Sequence, residues 1–300
     1  MVDKEKDFSS TARTPLYRAL QSDRYARQEA IYCIEQVTGR QLLVYEANLW
    51  SNRSGLGEDD IQPFGDLLVR LSPKQNFDLL LHSPGGDIDA AEKIVYMCRE
   101  IGGDSRVIIP EYAKSAATLI ALASDEIIMG LASEIGPIDA QLMGPMGPGP
   151  GGATFQTSTQ SFIDEFDRIK EEVDKTGHLS PAYFPLLEGL NLGFIRMCRN
   201  LMERSQKFAE KWLKKYMLRD NPEAAEKLAA DLCNVKKWLS HGVVIDADEA
   251  SRLGVKVGKL KQDDKLWEQI WYLHCCYGVL FRRTSISKIY ESATVSLSFE

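Results

Sequence analysis

With 300 residues, 44% of them hydrophobic and 26% charged, the chain is long enough to bury one sizeable core and an appendage. Its net charge of −7 is spread without a basic stripe, which excludes nucleic acid as the main partner, because phosphate is bound by clustered Lys and Arg. Six cysteines without CxxC spacing and a charged opening, Met-Val-Asp-Lys-Glu-Lys-Asp, predict a reduced, cytoplasmic chain with neither a disulfide framework nor a conventional signal peptide.

In chain order, residues 1–27 read as an arm of mixed local structure. Apparent strands at 30–36 and 41–47 flank Thr38-Gly39, a hairpin signal. A helix fits 60–71. From 77 to 129 strands and helices alternate, with a helix at 90–100 and strands at 106–110 and 125–129, which implies parallel pairing through crossover connections. Residues 144–152, Gly-Pro-Met-Gly-Pro-Gly-Pro-Gly-Gly, hold neither a helix nor a central strand, so a loop is expected there, either a substrate-gating flap or a plain linker. Helical periodicity returns at 161–174 and 185–218, and 221–233 opens with Asn-Pro-Glu, a cap followed by proline at the first helical position. An apolar helix at 266–281 and a terminal strand or frayed tail at 285–300 complete the chain. No stretch reaches the roughly 20 apolar residues that a membrane-spanning helix needs.

Two segments carry chemistry. Leu-Leu-Leu-His-Ser-Pro-Gly-Gly-Asp (79–87) reads as a buried strand running into two glycines that can turn their N–H groups toward a ligand. Ala-Lys-Ser-Ala-Ala-Thr-Leu-Ile-Ala-Leu (113–122) presents one serine at a strand-to-helix junction. Acyl transfer needs a held hydroxyl and preorganised donors for the oxyanion. Ser115 and the N–H groups of Gly85, Gly86 and Ala116 supply both, beside a helix N-terminus that favours negative charge. The alternative is a tight turn and a serine that merely caps its helix.

The order of Ser-Pro-Gly-Gly-Asp, a helix, a strand, Lys-Ser-Ala-Ala-Thr-Leu-Ile-Ala, a strand and Ile-Gly-Pro-Ile-Asp-Ala-Gln (135–141) resembles the Clp-protease/crotonase superfamily. Within it the chain is most similar to the serine dehydrogenase proteinases, relatives of signal peptide peptidase A, from about residue 29 to 257. Ala117 stands where that family often has Gly. The resemblance implies an α/β fold: a Clp-protease/crotonase-like repeated β-β-α core with a parallel sheet and a helical C-terminal appendage. It divides the chain into an N-terminal arm (1–28), a peptidase domain (29–258, with a helical insertion at 160–233) and a C-terminal helix and strand (259–300) expected to form an oligomer interface. It implies a serine endopeptidase that needs no cofactor, acts on peptide or protein substrates and assembles as a homo-oligomer. Signal peptide peptidases are often membrane-tethered, so peripheral membrane association stays open.

The serine needs a base. Similarity to the Clp-type proteases puts His241, in Trp-Leu-Ser-His-Gly-Val-Val-Ile-Asp, beside the position of their triad aspartate, and Asp139 near that of their triad histidine. Ser115, His241 and Asp139 would then form a triad with two members exchanged in the chain, which is acceptable because a triad is defined by geometry. The alternative for His241 is a histidine that satisfies a loop carbonyl. The dyad of signal peptide peptidase A offers another base, a lysine in a helix beyond the serine, here Lys170 or Lys175, although both sit among charged residues. Lys114 is a third option, or a group that holds a carboxylate or the substrate backbone.

His82 alternates with leucines and reads as structural, and His178 and His274 show no partner spacing. Neither a metal motif nor a phosphate-binding glycine motif occurs, so a hydrolase with no metal and no cofactor is expected. Two other classes are compatible with the fold: an acyl-CoA enzyme of crotonase type, for which Ser115 has no use, and a catalytically silent scaffold.

Overall fold

The structure, a computed structural model, describes residues 14–145, 154–187 and 192–300. Helices α1 (Pro15–Leu20) and α2 (Ser22–Thr38) lead into β1 (Gln41–Ala47), and α3 (Ile61–Leu68) into β2 (Phe77–His82). Next come α4 (Ile88–Glu100), β3 (Ser105–Ile109), the short β4 (Tyr112–Ala113), α5 (Ala116–Leu122), β5 (Glu126–Met129) and β6 (Glu134–Ile135). The pair β7 (Gln141–Pro145) and β8 (Thr154–Ser158) precedes a helical run of α6 (Thr159–Thr176), α7 (Phe184–Leu187), α8 (Leu192–Lys215), α9 (Pro222–Cys233) and α10 (Val235–Trp238). The chain closes with α11 (Ala247–Leu253), β9 (Val257–Lys259), α12 (Lys265–Arg283), β10 (Lys288–Glu291) and β11 (Ser296–Phe299).

One seven-stranded sheet organises these elements in the order β11-β10-β1-β2-β3-β5-β9. The pairs from β1 to β9 are parallel, and β10 and β11 extend the sheet antiparallel. Parallel strands covered on both faces read as continuous apolar runs, and their period of two sorts the side chains. Leu43, Tyr45, Leu79, Leu81, Val107 and Ile109 enter the larger core, with α3, α4, α5, α8 and α9. The intervening Leu42, Val44, Leu80 and Ile108 enter the smaller one, against α2 and α12. All seven residues of α5 are buried, so the helix that follows Ser115 is a rigid central element.

The expected strand at 30–36 is instead the C-terminal half of α2. Arg27, Ile31 and Ile34 recur at helical spacing and are its buried residues, and Gly39 at φ +65° is a left-handed helix cap, not a hairpin turn. The expected segment limits at 28 and 258 fall inside α2 and β9. Residues 259–300 pack into the fold itself: α12 covers the sheet, and β10 pairs with β1 in register Tyr45↔Tyr290. A buried two-point contact, Arg27 Nε and Nη2 to the Glu291 carboxylate at 2.9 and 2.7 Å, joins α2 to β10. The tail is therefore a hairpin at the sheet edge. Of the expected loop at 144–152, Gly144 and Pro145 belong to β7, and 146–152 lie outside the described residues. Among the described residues no helix is long and apolar enough to cross a membrane.

Candidate active site

A cavity of about 970 Å3 is lined by Gly85, Gly86, Ser115, Ala116, Asp139 and His241, among others. Ser115 sits between β4 and α5 with φ +53° and ψ −119°, a region that a residue with a Cβ rarely occupies. Such a conformation costs on the order of 1–3 kcal/mol and persists only where the surroundings enforce it. Here they do. Ala117 N–H donates to Lys114 O at 2.9 Å, Lys114 N–H to Ser83 O at 3.1 Å, and Thr118 Oγ1 to Ala113 O at 2.8 Å. The Ser115 side chain makes no capping hydrogen bond to its helix, so its hydroxyl is not spent on the capping that the alternative reading assigned to it.

The glycines are required by contact. A Cβ on Gly85, at φ +89°, would lie 2.5 Å from Lys114 O and 2.8 Å from Ser115 Cβ. One on Gly86 would lie 2.3 Å from Leu56 O. The neighbouring 54–57 segment runs parallel to this strap, with Leu56 N–H donating to Gly85 O at 2.8 Å and Asp87 N–H to Leu56 O at 2.9 Å. Alternation along an extended strand turns the N–H and C=O of Gly86 the other way. Gly85 N–H is committed to Ser83 Oγ at 3.1 Å. Of the two glycines expected to offer an oxyanion donor, Gly85 therefore has its N–H engaged within the strap. Among the described residues, the N–H groups of Gly86 and Ala116 have no protein acceptor, Ala116 being an unpaired first residue of α5.

Asp139 is buried at 3% exposure and accepts from His241 Nδ1 at 2.7 Å, while its other oxygen accepts from Gln141 Nε2. The second ring nitrogen of His241 has no protein partner among the described residues. The Cys233 thiol is pushed up to about 12, by burial first and then by the nearby Asp139 charge, so it stays protonated beside the carboxylate. His241 lies on a loop tied to the rest of the site. Ile135 and Ile245 exchange backbone hydrogen bonds at 3.0 and 3.2 Å, and the buried Lys114 Nζ donates to Val243 O at 2.7 Å and Ile135 O at 3.2 Å. Lys114 also pairs with Glu134 at 2.9 Å. Burial holds its ammonium below the usual lysine value, although Glu134 opposes that shift. The third candidate base is thus a clamp that holds a carboxylate and two backbone carbonyls. Gly136 makes room for it, since a Cβ there would stand 2.5 Å from Lys114 Cδ.

Residues 66–154, which contain the glycine strap, Ser115 and Asp139, match the profile of the ClpP-like SDH-type serine proteinases. Two uncharacterised proteins of Methanocaldococcus jannaschii, MJ0137 and MJ1495, are each 45% identical to the chain over 75 residues, 25% of its length. The match spans about a quarter of each of those relatives, 26%. Among solved structures, ClpP1 from Listeria monocytogenes is similar with a TM-score of 0.41 and 10% identity, over 78% of this chain and 99% of that one. An asparagine-to-aspartate mutant of the same ClpP1 is similar with a TM-score of 0.36 and 14% identity over the same shares.

His241 lies beyond the segment matched to the SDH-type proteinases, and the fold brings it to Asp139 from the loop after α10. Lys170 and Lys175 are not brought to the cavity. Both are exposed on α6, with Lys175 paired 3.6 Å from Glu171, and neither lines the site. His178 is exposed, its Nδ1 3.1 Å from Thr176 O. His82 and His274 lie in a separate cavity that shares no lining residue with this one. Sequence reasoning passed over Gln141 and Glu134. Both flank the Ile-Gly-Pro-Ile-Asp motif, whose Gly is explained only once the path of Lys114 is known.

Proposed function

We propose that the chain is a serine endopeptidase that works through a Ser115 acyl-enzyme. The observation that carries this reading is a serine in a strained backbone conformation, with its hydroxyl free of any capping bond, in one cavity with a histidine held by a buried aspartate. Ser115 Oγ attacks the scissile carbonyl carbon while the unpartnered nitrogen of His241 takes the hydroxyl proton, and Asp139 fixes the imidazole through Nδ1 and steadies the charge it acquires. The N–H groups of Gly86 and Ala116 receive the oxyanion. Collapse breaks the C–N bond, and His241 returns its proton to the leaving amine. Water then attacks the ester carbonyl, gives its proton to His241, and the C–Oγ bond breaks as the proton goes back to Ser115.

The peptide is expected to lie extended against Gly86, whose edge groups face away from the 54–57 segment. Recognition through backbone groups predicts modest side-chain selectivity. The six cysteines are free thiols, in keeping with a cytoplasmic protein. Assembly into a homo-oligomer belongs to the same reading, supported by the exposed Trp271, Tyr272 and Val279 on α12. The test is covalent labelling with a fluorophosphonate probe, with the modified residue mapped by mass spectrometry. Labelling confined to Ser115 and absent in Ser115→Ala is the expected result. A native protein that stays unlabelled, or labels elsewhere, overturns the proposal.

A further inference from the structure

At the carboxyl ends of β1 and β2, toward the side covered by α12, a second cavity of about 410 Å3 opens against Glu46, His82, Glu111 and His274. In parallel sheets this end of the strands is where ligands bind. Glu46 and His82 are cross-strand partners in the β1–β2 register, and His274 comes from α12. The two imidazoles stand 4.8 Å apart, centroid to centroid, between two carboxylates. Glu46 lies 3.1 Å from His82 Nδ1 and 2.8 Å from His274 Nδ1. Glu111 lies 3.6 Å from His82 Nε2 and 3.1 Å from His274 Nε2.

A buried ion-pair network would satisfy its polar atoms, and this cluster does not. Glu46 is fully buried and His82 is 5% exposed, yet Glu46 Oε2 and both ring nitrogens of His82 are without hydrogen bonds, the close approach of Nδ1 to Glu46 being too poorly aligned to form one. An unpaired polar atom in such a place costs on the order of 1–3 kcal/mol, and two of the three, Glu46 Oε2 and His82 Nδ1, face each other 3.1 Å apart. Glu46, His82 and His274 each offer a donor atom, all within 4.8 Å of one another. Two imidazoles and a carboxylate form a donor set suited to zinc or a similar divalent ion.

We propose that Glu46, His82 and His274 bind one divalent transition-metal ion of the zinc type. Glu111, on the far side of the two rings, accepts the remaining N–H of His274 at 3.1 Å and stands 3.6 Å from that of His82, in the place that carboxylates take behind metal-bound histidines. The ion takes the place of the ring protons that face Glu46, and those protons leave to solvent. Its two positive charges are matched by Glu46 and Glu111. Three protein ligands leave a fourth position that opens into the cavity, where water or a small anion binds near Arg282. The ion joins β1, β2 and α12 and shares no residue with the Ser115 cavity.

The test uses the full chain, stripped with a chelator and titrated with Co2+ alone. One equivalent bound, with visible bands of four-coordinate nitrogen and oxygen ligation, is expected, and Zn2+ should displace it. Glu46→Gln and His274→Gln should abolish the bands. Glu111→Gln, a change at a half-exposed side chain, should weaken Co2+ binding by about 10–100-fold. Absence of binding by the native chain, a spectrum dominated by thiolate ligation, or unchanged binding by both His274→Gln and Glu111→Gln would each overturn the assignment.

Discussion

The two cavities use the same side-chain types differently. Both hold histidine against a buried carboxylate. In one, His241 meets a single acid through Nδ1 and, among the described residues, has no partner at its other nitrogen, in the same cavity as a serine at φ +53° and two unpaired backbone N–H groups. In the other, His274 is engaged at both nitrogens, by Glu46 at 2.8 Å and Glu111 at 3.1 Å, and none of the described residues with positive φ lines the cavity. Burial alone would lower the His274 pKa, but the two carboxylates outweigh it and hold it up at about 9. Glu46 is held below its ordinary value, because the two histidines outweigh the burial that would raise it. A ring that must pass a proton on and receive it back needs one committed side and one free side. A ring engaged on both sides is suited to holding charge, whether its own or that of an ion. Strained backbone and free donors mark a place for chemistry, whereas a dense set of donors marks a place for binding.

The sharpest way to break this contrast is to spoil the committed side of His241. Asp139→Asn keeps the shape of the side chain but presents an amide to Nδ1, which favours the wrong tautomer and removes the charge that steadies the imidazolium. The rate of probe labelling at Ser115 should fall by about 10³–10⁴-fold with the fold intact by circular dichroism. Labelling at the native rate would mean that the His241–Asp139 contact is structural.

A smaller effect should follow from crowding the glycine strap. Gly85→Ala places a methyl against Lys114 O and Ser115 Cβ, and at φ +89° the backbone must also strain. The loop has to move, and Gly86 moves with it. Losing one oxyanion donor costs about 10²–10³-fold in rate, so labelling should drop by that order while thermal unfolding shifts down by a few degrees. A variant that unfolds earlier yet labels normally would separate the strap from the oxyanion.

How far each site could be read from the chain follows the same division. Ser115, the glycine strap and Asp139 sit in short local motifs, Ser-Pro-Gly-Gly-Asp, Lys-Ser-Ala-Ala and Ile-Gly-Pro-Ile-Asp, because backbone geometry dictates residue type within a few positions. The parallel sheet was legible for a similar reason: strand and helix patterns alternate from β2 to β5. Glu46, His82 and His274 come from β1, β2 and α12, and no local spacing joins them. His82, among leucines, carried no sign that its register partner is Glu46. The segment at 30–36 was misread because Ile31 and Ile34 are β-branched, and packing against the sheet overrides that preference. The place of residues 259–300 in the sheet left no local sign, because β10 joins it only by long-range pairing with β1.

The least disruptive substitutions bear on the choice of base. Lys170 and Lys175 are exposed on α6, and a lysine can serve as a base only where an apolar setting keeps it neutral. Neither position offers one: Lys175 faces Glu171 in solvent, and both lie outside the Ser115 cavity. Lys170→Ala and Lys175→Ala should therefore leave the Ser115 labelling rate unchanged and move stability by no more than about 0.5 kcal/mol, the usual range for exposed sites. If either variant lost labelling while it stayed folded, α6 would have to swing over the cavity when the probe reacts. The pairing of His241 with Asp139 would then be a resting contact, and the contrast between a free ring nitrogen here and two engaged ones at His274 would no longer separate chemistry from binding.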